Sequence, residues 1–520
     1  MELIKKNLHM IRRKSEATNQ VTFDEDYNVP DVKPDVGRMI QKKGEVLLEE
    51  AQVSEEQAQI RGSLKFYLLY VSDTPEKKIH SLSGMLAIEE TLHLNGLESG
   101  DKICLKWEIE DLSMNMINSR KLNIKSIISF EASVDELSDL QMPVELKDQE
   151  DLSVKRKTIR ALGLGVHKKD TMRIKKGVTL ASNKPNIHEI LWDDIEVRGL
   201  DIRAENDQVV VKGELFAFAL YSGDDDSNPL EWVEQAVPFS GEVQCSGCMD
   251  DMIPNIEVNI QQSNMEVKPD SDGEERILQV EVVLELDMRI YQEEEQTLLL
   301  DVYTPHKEYV PISSNETMES LLVKNYSKCR VNERVAVQET QGKILQICHS
   351  DGKVKMDEAR IVDNGIRVEG IVQVRILYIV SDDDMPFYSM ETSIPFSHMI
   401  EATDIDEQCK YYLRSDLEQL STTMVDSNEI EMKIVLNLNA IVLRRQQEPI
   451  ISEIQEHELN MEKLENMPGI ICYLVQPGDT LWDIAKNFYT TIDTIKTLNH
   501  LEGDDVAPMD SLMLVKKVDY

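Results

Sequence analysis

The stretch IRGSLKFYLLYVSD, residues 60–73, returns twice in the chain, as VVKGELFAFALYSGDDD at residues 210–226 and VEGIVQVRILYIVSDDD at residues 368–384. In each copy a glycine precedes a tyrosine by eight residues, and Ser and Asp follow. These landmark residues are Gly62 and Tyr70, Gly213 and Tyr221, and Gly370 and Tyr378. The glycines lie 151 and 157 residues apart. Such a long period indicates three repeated domains, because solenoid units are much shorter.

Two further patterns recur with this unit. Lys33-Pro34-Asp35 and Lys184-Pro185-Asn186 both place the proline 28 residues before the repeat glycine, which is typical of a fixed turn at the start of a domain. The third copy lacks this motif. Apolar and polar residues alternate at the end of every copy, over residues 122–134, 278–290 and 430–442. This period of two predicts long strands with one face in a core and the other in water.

The fold class predicted from these patterns is mainly β. We expect three antiparallel β-rich domains at residues 1–140, 159–292 and 329–446, each a sandwich or an open barrel. Residues 447–468 are polar and predict a linker, in which EIQEHELNMEKLENM forms a short helix or a flexible tether. Residues 469–520 form a separate small domain.

The segment YLVQPGDTLWDIAKNFYTTIDTIKTLNHL at residues 473–501 predicts the order βααβ for this small domain. Asp479 or Thr480 is placed to cap the first helix, after a turn at Pro477-Gly478. Apolar residues at helical spacing mark the buried faces of the two helices: Leu481, Ile484, Ala485 and Phe488, then Ile492, Ile495 and Leu498. The second helix should end near Asn499. Leu512, Leu514 and Val518 predict the closing strand.

The net charge of the chain limits the classes of partner that it can bind. The chain has 96 acidic and 56 basic residues, a net charge of −40. Nucleic acids and anionic lipids require basic patches, so we expect neither as a partner. No segment reaches the roughly 20 continuous apolar residues of a membrane-spanning helix, and the N-terminal residues lack the apolar core of a signal peptide. We therefore expect a cytoplasmic protein without direct membrane insertion.

The cysteines and acidic clusters are weak candidates for metal sites. Seven scattered cysteines suit reduced thiols, and Cys245-Ser-Gly-Cys248 lacks the second pair that a zinc ribbon needs. Asp224–Asp226 and Asp382–Asp384 could attract Ca²⁺, but they follow strands where turns favour Asp. We predict no metal and no cofactor.

Catalytic motifs are absent from the sequence. It contains no GxSxG elbow, HExxH helix or phosphate-binding loop. His188, His349 and His398 fall at non-equivalent points of the repeats, which favours surface or turn positions over a shared site. We therefore predict a protein that is not an enzyme and has no catalytic residues. Carboxylates and cysteines converging in one cleft would favour an unrecognised enzyme instead.

The run GDTLWDIA followed by Asn499 resembles a LysM module, a family associated with N-acetylglucosamine polymers. The resemblance implies a binding groove for glycan or protein formed by Gly478, Asp479, Thr480, Leu481, Trp482, Asn499, Pro508 and Met509. LysM modules usually have Pro-Gly before the closing strand, whereas this chain has Pro508-Met509. The resemblance is therefore closer for the fold than for glycan binding.

The whole layout, with β repeats that begin near a Lys-Pro-Asp motif and a C-terminal LysM module, resembles the SPOCS-domain proteins of endospore-forming bacteria. The resemblance implies a spore-coat scaffold in the mother-cell cytoplasm, at the forespore and spore-coat surface. Its partners would be spore-coat proteins, especially the basement-layer ATPase, with LysM as a docking module. The alternative is a protein that binds peptidoglycan or another N-acetylglucosamine glycan through the LysM groove, with the β domains as spacers.

Overall fold

The computed structural model describes residues 2–147, 152–224, 229–337, 343–382 and 386–516. It confirms the mainly β class, because each copy folds into six strands arranged as two three-stranded antiparallel sheets. Of the acidic triplets considered for Ca²⁺, Asp225, Asp226, Asp383 and Asp384 lie outside the described residues, as does Val518 of the predicted closing strand.

The eighteen strands of the three copies follow one scheme. Copy one contains β1 (Leu3–Asn28), β2 (Val36–Ser54), β3 (Gln57–Ser72), β4 (Ile79–His93), β5 (Ile103–Asn118) and β6 (Lys121–Leu146). Copy two contains β7 (Ser153–Thr179), β8 (Ile187–Glu205), β9 (Gln208–Gly223), β10 (Leu230–Gln244), β11 (Ile253–Pro269) and β12 (Glu275–Tyr303). Copy three contains β13 (Glu308–Ala336), β14 (Ile344–Val362), β15 (Gly365–Val380), β16 (Phe387–Glu401), β17 (Lys410–Met424) and β18 (Glu429–His457).

Each copy is a two-sheet sandwich. In copy one the sheets have the orders β1-β6-β5 and β2-β3-β4, and the other copies repeat this arrangement. The predicted alternating strands are β6, β12 and β18, which occupy the centre of their sheets. Their apolar residues, such as Ile128, Leu284 and Leu436, are fully buried between the two sheets. The alternation therefore correctly predicts the core-facing side of these strands.

The repeat glycines lie where two backbones approach too closely for a side chain. A Cβ on Gly62 would lie 2.4 Å from the carbonyl oxygen of Leu47, and one on Gly370 would lie 2.2 Å from that of Lys355. A Cβ on Gly213 would lie 3.0 Å from the ring of Phe239. The glycine lies in the third strand of each copy. The register between the second and third strands (β2 and β3, β8 and β9, β14 and β15) shifts beside this glycine in all three copies. Glycine therefore allows a β-bulge at this point.

The repeat tyrosines connect the centre of the sheet to the turn that opens the domain. Tyr70, Tyr221 and Tyr378 are all fully buried. The Tyr70 hydroxyl donates to the carbonyl oxygen of Pro34 at 3.0 Å, and the Tyr221 hydroxyl donates to that of Pro185 at 3.4 Å. The conserved distance between the proline and the tyrosine in copies one and two thus reflects a direct contact.

An arginine that the sequence reasoning overlooked holds the same turn. Arg120 donates to the carbonyl oxygens of Lys33 at 2.7 Å and Val29 at 2.8 Å. In copy two, Arg276 donates likewise to the carbonyl oxygens of Lys184 and Ala181. A signal was present, because each arginine lies two residues before the leucine that begins the alternating pattern. Copy three has Asn428 at this position and also lacks the proline motif.

The three sandwiches form a closed ring with approximate threefold symmetry. The second strand of each copy contacts the fourth strand of the preceding copy: β8 contacts β4, β2 contacts β16, and β14 contacts β10. Equivalent residues of the copies, Leu69, Leu220 and Leu377, share one apolar cluster at the centre. The predicted surface position of His349 is wrong, because its side chain is only 2% exposed. It is stacked on Phe218 of copy two, with the ring centroids 4.0 Å apart.

The first and last strands of each copy continue beyond the ring as two-stranded ribbons. The ribbons are formed by 3–13 with 135–146, 153–164 with 291–303, and 308–321 with 443–457. A bulge lies at the base of each ribbon, at the equivalent positions 14, 165 and 322. The three ribbons pack on one another around residues that include Met142, Leu298 and Ile450. We call this bundle the stalk.

The stalk corrects the predicted linker. Residues 447–457 of the predicted linker 447–468 belong to β18, and α1 (Met461–Asn466) follows. The residues between the predicted domains, 141–158 and 293–328, also lie largely in ribbon strands. These segments are polar because each ribbon buries only one apolar stripe against its two neighbours, so their composition resembles that of a solvated linker.

The C-terminal domain has the predicted order βααβ. It contains β19 (Ile470–Leu474), α2 (Leu481–Asn487), α3 (Ile492–Asn499) and β20 (Ser511–Val515). Thr480 is the N-cap of α2, as one of the two predicted alternatives, and its side-chain oxygen accepts a hydrogen bond from the backbone N–H of Asp483. α3 ends at Asn499 as predicted, but the left-handed residue is His500, at φ 54°.

Candidate functional site

The first loop of the C-terminal domain contains Gly478, Asp479 and Thr480. Gly478 has φ +94°, which a glycine adopts without strain. The Asp479 carboxylate accepts hydrogen bonds from the Tyr473 hydroxyl at 2.6 Å and from the Gln476 backbone N–H at 2.8 Å. These two bonds lower the pKa of Asp479. Asp479 therefore shapes the loop, while Gly478 and Thr480 are exposed on its surface.

Leu481 and Trp482 are not open to a ligand. Leu481 is buried in the core of the C-terminal domain. Trp482 is 9% exposed because it packs edge-on against Tyr303, with the ring centroids 4.8 Å apart. The prediction that both side chains line an accessible groove is therefore corrected: one serves the domain core and the other the contact with the stalk.

Polar bonds complete this contact between α2 and the stalk. Trp482 Nε1 donates to one carboxylate oxygen of Asp301 at 2.8 Å, and Lys486 Nζ donates to the other at 2.7 Å. Asp301 lies in β12, at the tip of the copy-two ribbon. We call the contact of Asp301 and Tyr303 with Trp482 and Lys486 the tip clasp. It fixes the small domain at the far end of the stalk.

The remaining predicted groove residues divide between structural and exposed positions. The Asn499 side chain donates to the carbonyl oxygens of Ile495 and Met513 and accepts from the Met513 N–H, so it joins α3 to β20. Pro508 is exposed. Met509 is 72% exposed and has φ +78°, a left-handed conformation that favours glycine. The structure thus places the unusual residue of the loop in a strained, accessible position.

An apolar surface that the sequence reasoning missed lies on the outer face of the β19–β20 sheet. Ile470 is 68% exposed and Met513 is 49% exposed, and Leu474 is also exposed. Cys472 pairs with Met513 across the two strands and faces the same side. We call Ile470, Leu474 and Met513 the outer sheet face. The signal was the run Ile470 to Val475, which is apolar on both faces although a two-stranded sheet in this domain buries only one.

The cysteine pair is shielded from solvent. Cys245 and Cys248 are buried in the core of copy two, and burial raises the pKa of both thiols, that of Cys248 to about 11. Protonated thiols are poor nucleophiles and poor metal ligands. The helices that the structure describes have at most eight residues each, and none could span a bilayer.

Family models match four parts of the chain. The model described as SipL, SPOCS domain, matches residues 35–117, 186–268 and 343–425, which are the second to fifth strands of each copy. The LysM domain model matches residues 473–512. Both are non-catalytic domain families. No curated protein and no solved structure matches the chain.

Proposed function

Because the chain is a protein of three SipL-type SPOCS domains and a C-terminal LysM domain, we propose that it is a non-enzymatic scaffold of spore-coat assembly. The SPOCS copies make it a sporulation-related protein. In the proposed role, the ring of SPOCS domains binds coat proteins, and the LysM domain at the tip of the stalk docks the basement-layer ATPase. The site of action is the mother-cell cytoplasm, at the surface of the forespore.

The observation that supports protein docking most strongly is the division of surfaces in the LysM domain. The tip clasp covers Trp482. Of the predicted groove residues, Trp482 has the side chain best suited to stack on a sugar. The outer sheet face exposes Ile470, Leu474 and Met513 side by side. Clustered exposed apolar residues on an otherwise acidic chain are typical of a protein interface.

The length of the stalk supports the docking proposal. Its ribbons extend about eleven residue pairs beyond the ring at roughly 3.3 Å per residue, so the LysM domain lies some 35 Å from the sandwiches. The tip clasp keeps the domain from moving freely at that distance. A fixed spacer between two binding surfaces suits a protein that connects two layers.

Truncation tests this proposal directly. Full-length chain and a chain ending at Asn466 are used as bait in extracts of sporulating cells. We expect the truncated chain to lose one abundant partner, the basement-layer ATPase, and to keep the coat proteins that bind the ring. An unchanged set of partners would contradict the docking role of the LysM domain.

The second candidate function, glycan binding, is favoured by the LysM match at residues 473–512 and by the exposed loop residues Gly478, Thr480, Pro508 and Met509. Titration of the full-length chain with N-acetylglucosamine oligomers distinguishes the two. If the LysM domain docks a protein, the N-acetylglucosamine oligomers should show no saturable binding. Saturable binding that is lost when Met509 or Thr480 is changed, and kept when Ile470 is changed, would favour the glycan function instead.

A further inference from the structure

Three buried side chains converge where copies two and three meet at the centre of the ring. They are Asp194 of β8 and His349 and Asp351 of β14, each no more than 5% exposed. One ligand atom from each lies within 4.8 Å of the other two. No other group of three or more His, Cys, Asp or Glu residues comes together in this way in the described part of the chain.

The inner atoms of this cluster lack hydrogen-bond partners. Asp194 Oδ2, His349 Nε2 and Asp351 Oδ2 are all buried and make no hydrogen bond, although Arg375 Nη2 lies 3.9 Å from Asp194 Oδ2. His349 Nε2 lies 3.6 Å from Asp194 Oδ2, which is too long for a hydrogen bond. A buried polar atom without a partner destabilises the fold, so three together call for an occupant that satisfies them at once.

The outer atoms of the same side chains are held by neighbours. Asp194 Oδ1 accepts from Lys43 Nζ at 2.6 Å, and Asp351 Oδ1 accepts from Arg375 at 2.8 Å. His349 Nδ1 lies 2.7 Å from Glu234 Oε2. A carboxylate bonded to the far nitrogen of an imidazole fixes the tautomer that leaves Nε2 free, and it is the usual second layer around a metal-binding histidine.

A cation satisfies all three inner atoms, whereas a proton does not. A proton on His349 Nε2 could serve Asp194 Oδ2 but would leave Asp351 Oδ2 without a partner. One imidazole nitrogen and two carboxylate oxygens form a ligand set that Zn²⁺ binds at about 2.0–2.2 Å. Modest inward movement of the side chains would bring the three atoms to that distance.

We propose that Asp194, His349 and Asp351 bind a divalent transition-metal cation, with Zn²⁺ as the best fit, that joins copies two and three at the centre of the ring. Lys43 of copy one and Arg375 orient the two carboxylates through their outer oxygens. The ion is structural, since all three ligands are buried.

Metal loading of the full-length chain tests the proposal. The chain is purified without a metal-affinity step, treated with chelator, incubated with Zn²⁺ and desalted before its metal content is measured. We expect one Zn²⁺ per chain and a higher Tm with Zn²⁺ than with chelator, since a ligand that binds only the folded state stabilises it. Co²⁺ should give visible d–d absorption without the near-ultraviolet band that thiolate ligands produce.

Variants assign the ion to these residues. H349Q and D351N should each lose the bound metal and the Co²⁺ spectrum. The matched control is H167Q, because His167 also faces a buried aspartate, Asp287, at 3.5 Å but has no third ligand; it should keep the metal. If H349Q fails to fold, the Co²⁺ spectrum of the wild type and the metal content of D351N still test whether these residues bind the ion. No retained Zn²⁺ in the wild type, equal loss in H167Q, or a thiolate band would each overturn the proposal.

Discussion

At the scale of single residues, the repeat glycines and tyrosines fix the geometry of each sandwich. The glycine admits the neighbouring backbone at a bulge, and the tyrosine hydroxyl reaches the entry turn in copies one and two. Both could be recognised in the sequence as landmarks. The structural roles of these residues could not be predicted, because the close backbone atoms and the proline carbonyl belong to strands and turns elsewhere in the chain.

Gly62→Ala should destabilise the ring. The added Cβ would lie 2.4 Å from the Leu47 carbonyl oxygen, and two backbones cannot yield as a flexible side chain would. We expect a loss of about 1–3 kcal/mol in the free energy of unfolding, measured by urea denaturation. Gly100→Ala is the matched control, since a Cβ there meets nothing within 4 Å. Equal effects of the two substitutions would contradict the close-approach explanation.

The repeat tyrosines should limit stability at high pH. Burial raises the pKa of Tyr70, Tyr221 and Tyr378 to about 12, from about 10 in an unfolded chain. The folded state therefore holds these protons more tightly, so their contribution is complete below pH 10 and is lost as the pH rises towards 12.

Absorbance at the tyrosinate band and circular dichroism, followed together, check this prediction. The three repeat tyrosines should ionise only as the fold is lost. Their ionisation near pH 10 in a folded chain would contradict the account.

At the scale of elements, the strands of the sandwiches were predictable and the stalk was not. The alternation of Leu278 to Ile290 identifies a half-buried strand without tertiary information. The ribbon strand Glu308–Leu321 carries few apolar residues, since it needs only those that face the other two ribbons. Likewise, Trp482 looks like a groove residue from its motif, because its partner Tyr303 lies in copy two, 179 residues earlier in the sequence.

Asp301→Ala should release the LysM domain from the stalk. The substitution removes the bonds to Trp482 Nε1 and Lys486 Nζ, and hydrogen bonds to charged groups contribute about 1.5–3 kcal/mol each when buried. Because Asp301 and Lys486 are partly exposed, we expect the lower end of that range. Hydrogen exchange in α2 and a red shift of the Trp482 fluorescence measure the release.

Asp504→Ala is the matched control for the tip clasp. Asp504 pairs with Lys496 inside the LysM domain at 2.7 Å and does not touch the stalk. It should leave both the exchange of α2 and the fluorescence unchanged. Unaltered exchange in the Asp301→Ala chain would mean that the tip clasp does not hold the domain.

At the scale of the whole molecule, three copies of one sandwich close into a ring. The equivalent positions 43, 194 and 351 carry Lys, Asp and Asp, so the centre of the ring is charged and is not symmetric. The domain order could be predicted from the repeats. Contacts between copies could not, because residues such as His349 carry no periodic signal.

The claim that the LysM domain docks a protein through its outer sheet face is tested most directly by binding of the purified basement-layer ATPase to the full-length chain. The double variant Ile470→Ser, Met513→Ser is compared with wild type and with Met85→Ser, which changes an apolar residue of copy one that is 65% exposed. We predict at least about tenfold weaker binding for the double variant, about 1.4 kcal/mol, and unchanged binding for Met85→Ser. Equal affinity of all three chains would contradict the claim.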